Sequence, residues 1–136
     1  MKKIIILFSC FILTGCFENS GYIVKSCIKE ETANTLTTKT TYTFGFKNDI
    51  IDDIKIIYDY IDSNYNTISS IKLSIETQNK FYKGINYNVL LDEENQYKIE
   101  YTNLLNLNSE LKDKFKIKET RSDLVKFLEN EGYICE

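Results

Sequence analysis

Histidine, tryptophan and proline are absent from these 136 residues, and there are only five glycines. Without histidine, a Ser, Cys or Thr nucleophile loses its usual base, and zinc loses its imidazole ligands. The glycines (Gly15, Gly21, Gly45, Gly84 and Gly132) are scattered, so no Gly-rich loop is present to cradle a phosphate. A strongly basic face is missing too: 17 Lys and Arg stand against 20 Asp and Glu, a net charge of −3. That balance argues against nonspecific nucleic-acid binding, which rests on cationic contacts to phosphates. Nor does any apolar run reach the ~20 residues of a membrane-spanning helix.

Ile, Asn, Lys and Tyr are abundant instead, as in proteins encoded by AT-rich genomes. Ten tyrosines are therefore weak grounds for a surface that stacks on sugars or bases.

The N-terminus is more specific. Lys2 and Lys3 form a positive start, Ile4 to Leu13 form an apolar stretch of signal-peptide length, and Leu13-Thr14-Gly15-Cys16 closes it with small residues before a cysteine. This order is that of a bacterial lipoprotein signal. It predicts cleavage after Gly15, acylation of Cys16, and a chain tethered by lipid to the extracytoplasmic face of the cell membrane. The alternative is an ordinary secretory signal cut elsewhere, with Cys16 as a plain thiol. Phe17, not aspartate, follows Cys16, so the enterobacterial inner-membrane retention signal is missing. Residues 1–15 are thus expected to be a leader, 16–21 a short lipidated tether and 22–136 one small domain. Loss of Lys2 and Lys3 takes the charge from −3 to about −5, so the acyl chains, not a polybasic patch, are expected to hold the membrane.

Four cysteines are present. Cys10 leaves with the leader and Cys16 takes lipid, which leaves Cys27 and Cys135 at opposite ends of the domain in an oxidising compartment. A bridge between them would close roughly 100 residues and stabilise by about 4–5 kcal/mol on chain-entropy grounds; two free buried thiols are the alternative.

Period-2 alternation dominates the domain. Tyr22, Val24 and Ile28 share one face of a first strand, and Leu36, Tyr42, Phe44 and Phe46 one face of a second. Ile50, Ile54, Ile56, Tyr58 and Tyr60 share one face of a third, and Asn48-Asp49 supplies hairpin-turn chemistry between the two. Residues 64–81 read either as a helix (Ile68, Ile71, Ile75, Tyr82, with Gly84 as the stop) or, around Ile71 to Ile75, as a strand; length favours the helix. Ile85, Tyr87, Val89 and Leu91 make a fourth strand, Tyr97, Ile99 and Tyr101 a fifth, and residues 108–114 a helical turn. Thr120-Arg121-Ser122-Asp123 has the form of a capping box before Leu124, Phe127 and Leu128, and Gly132 sits where a left-handed cap belongs. The expected fold is α+β, an antiparallel sheet of about five strands in the order βββ-α-ββ-α with helices on one face.

The lipobox, Cys27 soon after the tether, the Thr-rich second strand leading to Asn48-Asp49, the helix before Lys83-Gly84-Ile85-Asn86-Tyr87 and the Gly132-Tyr133-Ile134-Cys135 ending together resemble the YehR-like family of small bacterial lipoproteins. The likeness spans nearly the whole chain. It implies an α+β domain and supports pairing Cys27 with Cys135; it implies no reaction.

Carboxylates are the remaining chemistry. Asp49, Asp52, Asp53 and Asp59 flank or lie in the third strand, and Asp92, Glu93 and Glu94 lie in a turn. Neither group has the calcium-loop pattern, and nothing selects two of them as a glycosidase pair. Asp53 and Asp59 are expected on the solvent face, as charges that discourage edge pairing. The expectation is a surface lipoprotein that binds or supports an envelope component, a partner protein or a small ligand. No catalytic residue, metal site or cofactor is identified. The alternative is an envelope hydrolase using Asp and Glu.

Overall fold

The computed structural model describes residues 21–136. The leader, the lipobox, Cys10, Cys16 and most of the tether lie outside the described residues. Ten elements follow in order. Three long strands come first: β1 (Ile23–Ala33), β2 (Leu36–Lys47) and β3 (Ile50–Ile61). Helix α1 (Tyr65–Asn79), strands β4 (Asn86–Asp92) and β5 (Gln96–Thr102), a 3₁₀ turn at Leu104–Asn106, helices α2 (Ser109–Lys114) and α3 (Arg121–Asn130), and a two-residue strand β6 (Ile134–Cys135) complete it. The sheet order is β4-β5-β3-β2-β1-β6, with every pairing antiparallel. The fold is the expected α+β arrangement, with a sixth, two-residue strand added at the C-terminus.

β2 and β3 are central because their alternation is longest. Tyr42, Phe44 and Phe46 on β2 and Ile54 and Ile56 on β3 face inward and are buried with Tyr97 and Ile99 of β5. Their turn is a two-residue hairpin with Asn48 and Asp49 both left-handed, at φ 50° and 69°, the geometry that matches strand twist and that Asn and Asp tolerate best. The opposite face carries a row of alternating charge: Glu30 pairs with Lys39, Lys39 with Asp59, and Asp59 with Lys98, across four strands. A one-residue slip would move this row into the core and the aromatics into water, so the register is doubly fixed.

Two inward faces differ from the sequence reading. In β1, Val24 and Ile28 are exposed, as is Tyr22 just before the strand, and Cys27 is the residue fully buried. β1 lies near the sheet edge, where the face opposite the helices is open, so its apolar alternation marks the outer side. In β3, a register shift between Gly45 and Phe46 turns Ile51 into the core and leaves Ile50 54% exposed.

Within residues 64–81 the chain forms a helix, not a strand, over Tyr65–Asn79. Asn64 caps it by accepting from the Asn66 N–H, and Asp62 beneath accepts from the Asn64 N–H at 2.8 Å and from the Thr35 hydroxyl at 3.1 Å. The helix ends at Asn79, ahead of Gly84, whose φ of 81° serves the turn into β4. α3 begins with one half of the capping box: the Thr120 hydroxyl oxygen accepts from the Asp123 N–H at 3.2 Å, while Asp123 Oδ2 accepts from the Thr120 hydroxyl at 2.9 Å. Gly132, at φ 89°, closes it, and the Tyr133 N–H reaches back to the Leu128 carbonyl at 3.0 Å. Leu124 and Leu128 are buried; Phe127, expected beside them, is only half-buried, its ring lying under Lys116 and Lys118.

Candidate functional site

Cys27 and Cys135 are joined in a disulfide, with Cα atoms 4.0 Å apart. Ser26 and Glu136 exchange both backbone hydrogen bonds, which makes the adjacent Cys27–Cys135 pair a non-hydrogen-bonded one, where antiparallel Cα atoms approach most closely. The tail therefore returns as strand β6, and the bond ties the chain end to β1 across a separation of 108 residues. Tyr133, just before it, packs edge-on against Tyr42.

The inner face of β3 and β5 supplies a cleft of about 210 Å³, walled by Tyr58 and Tyr60 of β3, Tyr101 of β5, Ile75 of α1, Tyr82 and Phe115. Period-2 spacing puts Tyr58 and Tyr60 side by side, their rings 6.2 Å apart and nearly parallel. Tyr101 meets Tyr58 edge-on and leans on Phe115 at 5.1 Å. The turn after α1 brings Tyr82, whose hydroxyl donates to Gln78 Oε1, and Lys114 stands 4.6 Å over the Tyr82 ring. Burial pushes the Tyr60 and Tyr101 phenols up to about 12 and raises Tyr58 and Tyr42 further, because the phenolate is poorly solvated there. These hydroxyls stay protonated donors at physiological pH. Tyr101 donates its hydroxyl to Asn79 Oδ1 at 2.9 Å, so the cleft offers flat aromatic walls, the Tyr58 and Tyr60 hydroxyls and the Lys114 cation at its rim, a lining suited to a ring-shaped or partly apolar ligand.

The carboxylates are dispersed. Asp59 lies on the outer face, as expected, but is 8% exposed, accepting from Lys98 Nζ at 2.9 Å and Gln96 Nε2 at 2.8 Å. Asp49 sits under the α3 N-terminus. It accepts from the Ser122 hydroxyl at 2.8 Å and Arg121 Nε at 3.0 Å, and these bonds, the Ser122 hydroxyl foremost, hold its carboxyl below the usual range. Asp52 and Asp53 are exposed. Asp92 pairs with Lys72 and, with Glu93 and Glu94, borders a notch of about 400 Å³ beside α1. Among the described residues, no three His, Cys, Asp or Glu side chains are grouped to hold a metal ion.

Sequence reasoning missed the cleft. The usable signal was the spacing of Tyr58, Tyr60 and Tyr101 on inward positions; nothing local pointed to Tyr82, Lys114 or Phe115.

An open six-stranded antiparallel sheet with helices on one face defines an α+β class shared with a solved structure. A protein of Streptococcus pneumoniae TIGR4, determined by NMR, is similar in fold, with a TM-score of 0.57 at 13% identity, over 100% of this chain and 98% of that one. No protein-family model matches the chain, and no curated protein does.

Proposed function

We propose that this chain is a bacterial surface lipoprotein, anchored through acylated Cys16 on the extracytoplasmic face of the cell membrane, whose domain is a binding module of the envelope. The observation that carries the reading is the ordered N-terminal signal: Lys2-Lys3, the short apolar stretch and Leu13-Thr14-Gly15-Cys16. The Cys27–Cys135 disulfide supports it, since such bonds persist in oxidising compartments. No described helix is long and apolar enough to cross a membrane, which leaves the lipid as the anchor in this reading. Resemblance to the YehR-like lipoproteins belongs to the same proposal. The aromatic cleft is the place where a small ligand or an envelope glycan would seat.

Growth with an alkyne fatty acid tests the anchor: the wild-type chain takes up label and fractionates with membranes, and Cys16→Ala does neither. Label entering Cys16→Ala would refute it. For the binding role, the isotope-labelled mature domain is titrated with soluble peptidoglycan fragments. Shifts centred on Tyr58, Tyr60, Tyr82 and Tyr101 without cleavage support a module; cleavage products lost on Asp or Glu substitution support the hydrolase alternative.

A further inference from the structure

The end of the sheet from which the N-terminal segment departs exposes four large apolar side chains. Tyr22 is 45%, Ile23 54%, Val24 57% and Ile50 54% exposed. The register brings them to one end of the sheet: Val24 pairs with Gly45 and Ile50 with Lys47 on the outer face, and Ile23 pairs with Phe46 on the covered face. This stretch of β1 is also uncovered, because the C-terminal tail pairs with that strand only from Ser26 to Ile28. Tyr22 is not free to fold away. Its ring lies across the outer face over Gly45, where a Cβ would fall 1.7 Å from the Tyr22 hydroxyl, so only glycine at position 45 admits it there. The exposed Lys47 and half-buried Lys25 flank the patch.

Five residue steps separate Cys16 from Gly21, a contour of at most about 18 Å. Resting on the lipid-anchor reading above, we infer that this end of the domain is a membrane-contacting surface, with Tyr22, Ile23, Val24 and Ile50 lying at the headgroup level of the bilayer that holds the acyl chains. The short contour keeps this end, and not the Ala33–Leu36 turn at the other end of the strands, against the membrane. An apolar patch that would otherwise face water is then accommodated, with Tyr22 as an amphipathic interfacial side chain. Lys25 and Lys47 face lipid phosphates. Asp52, Asp53 and Glu119 at the same end limit the contact to the interface, since their burial in hydrocarbon would be costly. Sheet order then fixes what the domain presents outward: the strands rise from the membrane, with the aromatic cleft on their flank.

The chain has no tryptophan, so one introduced residue reports its own depth. The experiment uses the mature acylated protein in phosphatidylcholine–phosphatidylglycerol vesicles carrying brominated acyl chains. It compares Ile50→Trp with Ile61→Trp, an exposed position at the far end of the same strand, about 35 Å away. Tyr22→Trp serves as a second reporter at the near end should Ile50→Trp fold poorly. The expected result is a blue-shifted emission with more than half the intensity quenched for Ile50→Trp or Tyr22→Trp, and an unquenched, water-like emission for Ile61→Trp. Equal quenching at both ends, or none at either, in protein whose mass shows the acyl chains would overturn the membrane surface and leave the anchor intact. Protein lacking acyl chains overturns both.

Discussion

Asp49 concentrates several requirements in one side chain. It occupies the second left-handed position of the β2–β3 turn and ties that turn to the start of α3 through Ser122 and Arg121. Because its carboxyl titrates lower in the folded chain than when unfolded, it contributes stability above the ordinary aspartate range, and that contribution is lost as pH falls through its lowered folded value. Asn tolerates the same backbone and removes only the charge. Asp49→Asn should therefore lower the melting temperature at pH 7, with the gap to wild type closing below about pH 4; a gap independent of pH would count against the carboxylate's role. The tyrosines give the alkaline counterpart. With Tyr60 and Tyr101 raised to about 12, these phenols favour the folded state fully below pH ~10, and that preference is lost as pH rises toward their folded values. Absorbance at alkaline pH should show exposed tyrosines ionising first and the cleft tyrosines only as the fold is lost. A single transition near 10 that leaves the fold intact would contradict their burial.

Elements were legible where alternation was long and central, and less so at edges. β2 and β3 follow from their aromatic and isoleucine periodicity, and the α3 cap from Thr120 and Asp123. β1 misleads because a strand near the sheet edge, with one solvated face, places Val24 and Ile28 outward, while its buried side is marked by Cys27 between lysines. The Gly45–Phe46 irregularity that swaps Ile50 for Ile51 leaves no trace in periodicity, and β6 is too short to carry any; the pairing of two cysteines announces it. In α3, Leu128 is 1% exposed, so Leu128→Ala should cost about 2–5 kcal/mol in denaturant unfolding. Phe127→Ala should cost clearly less, because its ring is partly solvated beneath two lysines. Reversed costs would mean that α3 packs by a different face. For β6, Cys27→Ser with Cys135→Ser should lower stability by about 4–5 kcal/mol on chain-entropy grounds, and hydrogen exchange should show the tail opening first. An unchanged unfolding midpoint would show that the bond closes an already fixed tail.

At the scale of the whole molecule, the sequence pointed to an address and a fold, and left the site to the tertiary structure. Tyr58 and Tyr60 are neighbours by strand period, but the cleft exists only because the turn after α1 carries Tyr82 and the end of α2 carries Lys114 and Phe115 across the sheet, contacts no local pattern encodes. The acidic residues that suggested chemistry are separated by the same folding: Asp59 is held by Lys98, Asp49 by Arg121 and Asp92 by Lys72. What remains is a disulfide-closed sheet with an aromatic cleft on its covered side and, in the reading proposed, lipid at one end. Intact mass of the protein extracted from membranes under non-reducing conditions tests that reading most directly. The account predicts a chain beginning at Cys16, heavier by its acyl groups and lighter by the two hydrogens of the Cys27–Cys135 bond. A chain that begins elsewhere, or that carries no lipid on Cys16, would contradict it.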